Sequence, residues 1–114
     1  MQDCLFCRIV SGEIPAQKVL ETENVLAFRD IEPQAPTHVL IVPKQHISGP
    51  NDLPSTPSGI MDELYGAAAS VARREGIADS GYRTVINCND EGGQLVMHLH
   101  LHVLGGRRMA WPPG

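Results

Sequence analysis

His98-Leu99-His100-Leu101-His102-Val103-Leu104 decides how this chain is read. Three of the five histidines stand here, each two residues from the next. A β-strand sends alternate side chains to opposite faces. The spacing therefore predicts a strand with His98, His100 and His102 on one face and Leu99, Leu101 and Val103 buried on the other. A helix would scatter the three imidazoles around its circumference. Imidazoles gathered on one face suit metal binding, or nucleophilic and acid–base chemistry on a charged substrate.

Working outward, Gly105-Gly106 ends the strand and Asn89-Asp90-Glu91-Gly92-Gly93 reads as a loop before it. Adjacent glycines let backbone N–H groups approach a ligand closely and cradle a phosphate. A plain turn explains the same residues, but here the donors would lie beside a candidate nucleophile. Tyr82 to Cys88 reads as a strand, and Val39-Leu40-Ile41-Val42 as a buried central one ended by Pro43. Residues 18–21 and 25–29 form a hairpin pattern around Thr22-Glu23-Asn24. Residues 4–11 read as a short helix stopped by Gly12. Ser48 to Ser58, with three prolines, reads as an exposed loop. A helix is expected from about Pro57 to Glu75, with Thr56 as N-cap and Pro57 at its first position. Its apolar stripe is Ile60, Leu64, Ala68, Val71 and Ala72, and Gly76 is its left-handed stop. About five strands and two helices with hairpin-length connections predict an α+β fold on an antiparallel sheet.

The 114 residues suit a single domain spanning 1–114. There is no apolar run of transmembrane length and no signal-like start, so a cytoplasmic location is expected and no membrane partner. A net charge of −4 supplies no basic patch for nucleic acid. Any anionic ligand must then be held by local geometry. Three cysteines argue against a disulfide framework. Cys88 reads as a small apolar residue at a strand end. Cys4-x-x-Cys7 has the spacing of two thiolate ligands to one zinc. Two cysteines buried on a short helix, or a redox pair lacking a thioredoxin-like βαβ context, are the alternatives.

These motifs resemble the histidine triad (HIT) family of nucleotide hydrolases and transferases. The likeness rests on His98-Leu-His100-Leu-His102-Val-Leu and extends through Ile14-Pro15-Ala16, Phe28-Arg29-Asp30-Ile31, Pro33-Gln-Ala-Pro-Thr-His38, Val42-Pro43-Lys44 and Gly92-Gly93-Gln94. Gly105-Gly106-Arg107 through Trp111-Pro-Pro-Gly114 continues it. The ending and the Pro-Gln-Ala-Pro-Thr-His stretch are similar to the nucleoside phosphoramidase (Hint) branch, in the bacterial type that carries Cys-x-x-Cys.

The resemblance implies a short N-terminal helix, one long helix, and five-stranded sheets joined in a homodimer. It implies hydrolysis of purine nucleoside phosphoramidates (AMP or GMP conjugates) through a nucleotidyl-histidine. His100 would be the nucleophile and His102 would contact the phosphate. His98 and His38 would orient them. Asn87, Gln94 and the backbone at Gly93 and Leu95 would bind phosphate, and Asp30 the ribose hydroxyls. Leu5, Phe6, Ile9, Phe28 and Ile31 would form the purine slot. The tail with Trp111 would reach the partner subunit's site. Cys4, Cys7, His46 and His98 would form a Cys₂His₂ structural zinc site, with no metal required for catalysis. Leu95 stands where the family commonly has a serine that helps the leaving amine, which predicts slower turnover or a preference for better leaving groups.

Two other readings compete. One is a nucleotide-binding module with little turnover, acting in regulation or interaction. The other is a metal hydrolase with a catalytic zinc on His98, His100 and His102. The second is strained, because three alternate strand positions run almost linearly, about 6.5–7 Å apart.

Overall fold

The computed structural model describes residues 3–55 and 59–114. Among them are five strands: β1 (Lys18–Glu21), β2 (Val25–Arg29), β3 (Thr37–Pro43), β4 (Tyr82–Val85) and β5 (Leu101–Gly105). They form one antiparallel sheet in the order β1-β2-β3-β5-β4. This is the α+β architecture that the hydrophobic periodicity predicts. The hairpin turn is closed by Thr22, whose N–H and hydroxyl both bond the Val25 backbone.

Alternation sorts the apolar residues between two cores. Val25, Ala27, Val39, Ile41, Leu99, Leu101 and Val103 lie on one face, under helix α2 (Ile60–Arg74). Leu26, Phe28, Leu40 and Val42 lie on the other, under Phe6 and Ile9 of helix α1 (Leu5–Val10). In the β3–β5 register Leu40 stands opposite His102, so His102 shares the α1 face. Arg29 and Glu75 form a two-point ion pair, at 2.6 and 3.0 Å, between the end of β2 and the end of α2.

Several boundaries differ from the sequence reading. The histidine strand starts at Leu101, not His98. Pro43 ends β3 and has no N–H with which to carry the ladder on. The Leu99 N–H turns instead to the Ile47 carbonyl at 2.6 Å. The expected strand 82–88 is correspondingly short. Val85 pairs with His102 at the start of β5, and the residues beyond have no neighbour left to pair with. The loop at Asn89–Gly93 contains a single helical turn, α3 (Asn89–Gly92), stopped by Gly93 at φ +84°. The expected loop after Ser48 includes a 3-10 helix at Pro50–Ser55. Helix α2 starts at Ile60, capped by Gly59 without a side-chain bond. The Thr56 cap and the Pro57 start lie outside the described residues. Gly76 follows α2 at φ +72°, as its stop reading requires. Among the described residues, no helix is long and apolar enough to cross a membrane.

Candidate functional site

A cavity of about 840 Å³ opens on the α1 face of the sheet. Leu5, Phe6 and Ile9 line it from α1, Phe28 and Leu40 from the sheet, and Asp30 and Ile31 from the loop after β2. His38, His100, His102, Asn87, Gly93 and Leu95 line the rest. Eleven of the thirteen residues expected to touch a nucleotide are thus together. The other two lie elsewhere. Gln94 is buried, with its side-chain oxygen accepting the Asn89 N–H and its amide donating to the Ser48 and Val96 carbonyls. It clamps the turn rather than lining the cavity. Trp111 is 82% exposed on the tail.

Hydrogen bonds assign His38, His98, His100 and His102 each a tautomer. Among the described residues no buried side-chain nitrogen or oxygen lacks a partner. His100 donates from Nδ1–H to the His98 carbonyl at 2.7 Å. Its Nε2 therefore carries the lone pair, and this is the nitrogen left for the cavity. The Gln34 N–H donates to His38 Nδ1 at 3.0 Å, which puts the His38 proton on Nε2. That N–H donates to His102 Nδ1 at 2.9 Å, with the Asp30 carboxylate at 3.5 Å. His102 is left with an Nε2–H donor. A bare imidazole nitrogen and an imidazole N–H thus stand side by side, with ring centroids 4.9 Å apart. The pair can attack an electrophile and steady the negative charge around it.

Burial disfavours charge on these rings. It pushes His100 below the ordinary histidine value, against the bond to the His98 carbonyl and the pull of Asp30, and lowers His38 against Asp30. Burial first, then the neighbouring His100 and His38, push His102 down to about 4. An unprotonated His100 is what a nucleophile needs.

His98 turns the other way. Its Nε2–H donates to the Pro43 carbonyl at 2.8 Å, so its Nδ1 lone pair faces Cys4 Sγ at 3.2 Å and Cys7 Sγ at 3.6 Å. His46 Nδ1 lies 3.4 Å from Cys7 Sγ. The four donor atoms all lie within 4.8 Å of one another. Ligands on a tetrahedral zinc, one sulfur and one nitrogen, stand about 3.5 Å apart at ordinary bond lengths. The donor set, its spacing and the free Nδ1 of His98 all fit such an ion. Burial, then the Cys4 neighbour, push the Cys7 thiol up, a cost that an ion bound to the deprotonated sulfurs would offset.

Asp30, His38 and His102 also bring three possible ligand atoms together. Their tautomers argue for a relay instead, because His38 Nδ1 accepts from Gln34 and His38 Nε2 holds a proton rather than a free lone pair. The three-histidine zinc site is disfavoured too, because His98 turns Nδ1 to the sulfurs and Nε2–H to the Pro43 carbonyl, so neither nitrogen joins His100 and His102.

Sequence reasoning missed the Gln34 backbone and the Ile47–Ser48 segment. Both act through main-chain atoms, which leave no residue-type signature. Leu40, Val96 and Ile14 to Gln17 also line the cavity. The Ile14-Pro15-Ala16 motif was the signal available for part of that wall.

The HIT domain family model matches residues 11–109. The chain is 49% identical over 112 residues to a 14 kDa zinc-binding protein of Zea mays, covering 96% of this chain and 87% of the relative. It is 44% identical over 106 residues to a purine nucleoside phosphoramidase of Escherichia coli K12, covering 93% and 89%. The structure of a HIT family hydrolase from Legionella pneumophila Philadelphia 1 superimposes with a TM-score of 0.95 at 54% identity, covering 98% of this chain and all of that one. This protein belongs to the HIT family.

Proposed function

We propose that the protein hydrolyses purine nucleoside phosphoramidates through a nucleotidyl-histidine on His100. The observation that carries this reading is the pinned tautomer of His100. Its Nδ1–H is held by the His98 carbonyl, and Nε2 is free beside the His102 Nε2–H. The phosphoramidase relative from Escherichia coli supports the choice of substrate class.

The purine occupies the slot of Leu5, Phe6, Ile9, Phe28 and Ile31. Asp30 receives the ribose hydroxyls on the lone pairs it does not give to the Glu32 N–H. Asn87 and the backbone at Gly93 and Leu95 hold the phosphate, and Gln94 acts by holding their turn in place. His100 Nε2 attacks the α-phosphorus, the P–N bond breaks, and the amine departs with a proton taken from solvent, which the attacking water of the second step returns. His102 donates to a phosphate oxygen throughout. Water then cleaves the P–N bond to His100, releases the nucleoside monophosphate and restores the imidazole. Splitting one displacement into two is the gain of covalent catalysis.

Cys4, Cys7, His46 and His98 would hold a structural zinc ion, a reading the zinc-binding relative from Zea mays supports. Bound there, it would cross-link α1 to the segment before β5, and the hydrolytic steps do not use it. The chain acts as one 114-residue unit and pairs as a homodimer. β4 is an outer strand whose other edge pairs with no strand among the described residues, which suits a second copy, and the exposed Trp111 tail is available to reach a partner's cavity.

One observation favours a binding module with little turnover. Leu95 is 93% exposed at the cavity and offers no hydroxyl to the leaving amine. Hydrolysis of adenosine 5′-phosphoramidate by the parent and by His100→Ala separates the two readings. Release of AMP by the parent alone supports the hydrolase. AMP binding without release by either supports the module.

A further inference from the structure

The two histidine arrangements meet in one residue. His98 is fully buried. Its ring is gripped at both nitrogens, by the Cys4 and Cys7 sulfurs and by the Pro43 carbonyl. Its own carbonyl accepts the bond that selects the His100 tautomer. A ring held at both ends fixes the peptide that carries it, so the acceptor for His100 takes its place from the sulfur cluster.

A second path runs through α1. This helix has six residues, too few to hold its shape alone in water. Cys4 caps it by accepting the Cys7 N–H on its sulfur. Between the two cysteines, Phe6 sets its ring edge-on to His100, with centroids 5.1 Å apart and planes at 85°. The same ring meets His98 at 5.9 Å and Phe28 at 5.5 Å. Phe6 is buried, so it holds the flank of the His100 imidazole as well as lining the slot. Edge-to-face contacts of this kind fix ring orientation as well as burying area.

We infer that the Cys4, Cys7, His46 and His98 cluster is the positioning device of the nucleophile. Cross-linked by its metal, it holds the His98 carbonyl and the Phe6 ring so that His100 keeps one tautomer and presents Nε2 to the cavity. His98 and Phe6 are then positioning residues, acting through His100. The inference rests on the reading of His100 as nucleophile, and its test has a readout that needs no substrate.

The test uses full-length ¹⁵N-labelled protein loaded with zinc, the same protein stripped by a chelator, and a zinc-loaded Phe6→Leu variant. Imidazole ¹H–¹⁵N correlation spectra report the tautomer of His100 in each. A single Nδ1–H form is expected in the loaded parent and a mixture in the other two. kcat should fall about tenfold or more in both, the scale on which removal of supporting contacts acts, while KM of the stripped protein moves less than about threefold; in Phe6→Leu, which also alters the purine slot, the tautomer and kcat are the readouts. Phe6→Leu keeps all four sulfur and nitrogen donors, so it decides the matter if the stripped protein unfolds. An unchanged tautomer and unchanged kcat in Phe6→Leu, or in a folded stripped protein, would overturn the inference. If the parent hydrolyses no phosphoramidate, the proposed function fails while the spectra still decide the coupling.

Discussion

The cavity histidines and the sulfur cluster use the same side chain in opposite ways. His100 and His98 are two residues apart, and each spends one ring nitrogen on a main-chain carbonyl. His100 spends Nδ1 and keeps Nε2 bare for the cavity. His98 spends Nε2 and keeps Nδ1 bare for the sulfurs. The carbonyl that takes the proton decides whether the ring becomes a nucleophile or a ligand. Both acceptors are backbone atoms, positioned by the end of β3 and the entry to β5.

Removing the bare nitrogen on the cavity side breaks the comparison most severely. His100→Ala should lower kcat by on the order of 10³ or more in a phosphoramidate assay, with AMP binding kept in calorimetry. Residual turnover near the parent's would end the nucleophile assignment. Next is the relay behind His102. His38→Ala frees the His102 tautomer, and kcat/KM should fall about 10–100-fold, the usual cost of losing a supporting contact. On the sulfur side, Cys4→Ser with Cys7→Ser should take zinc from near one per chain to near zero by elemental analysis. The melting temperature should drop by about 5 °C or more, and full zinc retention would exclude the assigned ligands.

Acid sharpens the contrast by charging the buried rings. The folded value of His102 lies at about 4, below the roughly 6.5 of an unfolded histidine. The unfolded chain therefore takes up the proton first. The stability tied to a neutral His102 is present above about pH 6.5 and is lost as pH falls toward 4. Thermal melts across that window should show a steady decline, which His102→Asn should make shallower, the other buried histidines still contributing. The smallest effect expected is at Leu95. Leu95→Ser should raise turnover several-fold on poor amine leaving groups and leave good ones unchanged. Equal rates on both would show that a hydroxyl there does nothing.

Much of the fold was legible because it rests on side-chain periodicity. The alternation at 98–104 correctly divided Leu99, Leu101 and Val103 from the histidines, even though regular pairing begins only at Leu101. The hairpin at 18–29 was legible because its turn signal and two apolar runs agree. The extent of β4 was not, because a strand ends where its neighbour does. Ile86 to Cys88 have strand-like composition but no strand partner among the described residues. The family resemblance placed Gln94 among the ligand contacts, yet its amide is consumed by the turn it closes.

The sequence by itself determined which faces are apolar, which residues could ligate or attack, and the family to which they belong, since all three depend on residue type and spacing. The tertiary structure decided where β5 starts, which nitrogen of each histidine is bare, and how the sulfur cluster touches the nucleophile. The reason is that these depend on which backbone donors and acceptors the folded path brings to each group, whether near or far in the chain. Gln34 lies four residues before His38, Ile47 far from Leu99, and Pro43 far from His98. Every residue carries the same carbonyl, so only the folded path says which one a given imidazole will meet.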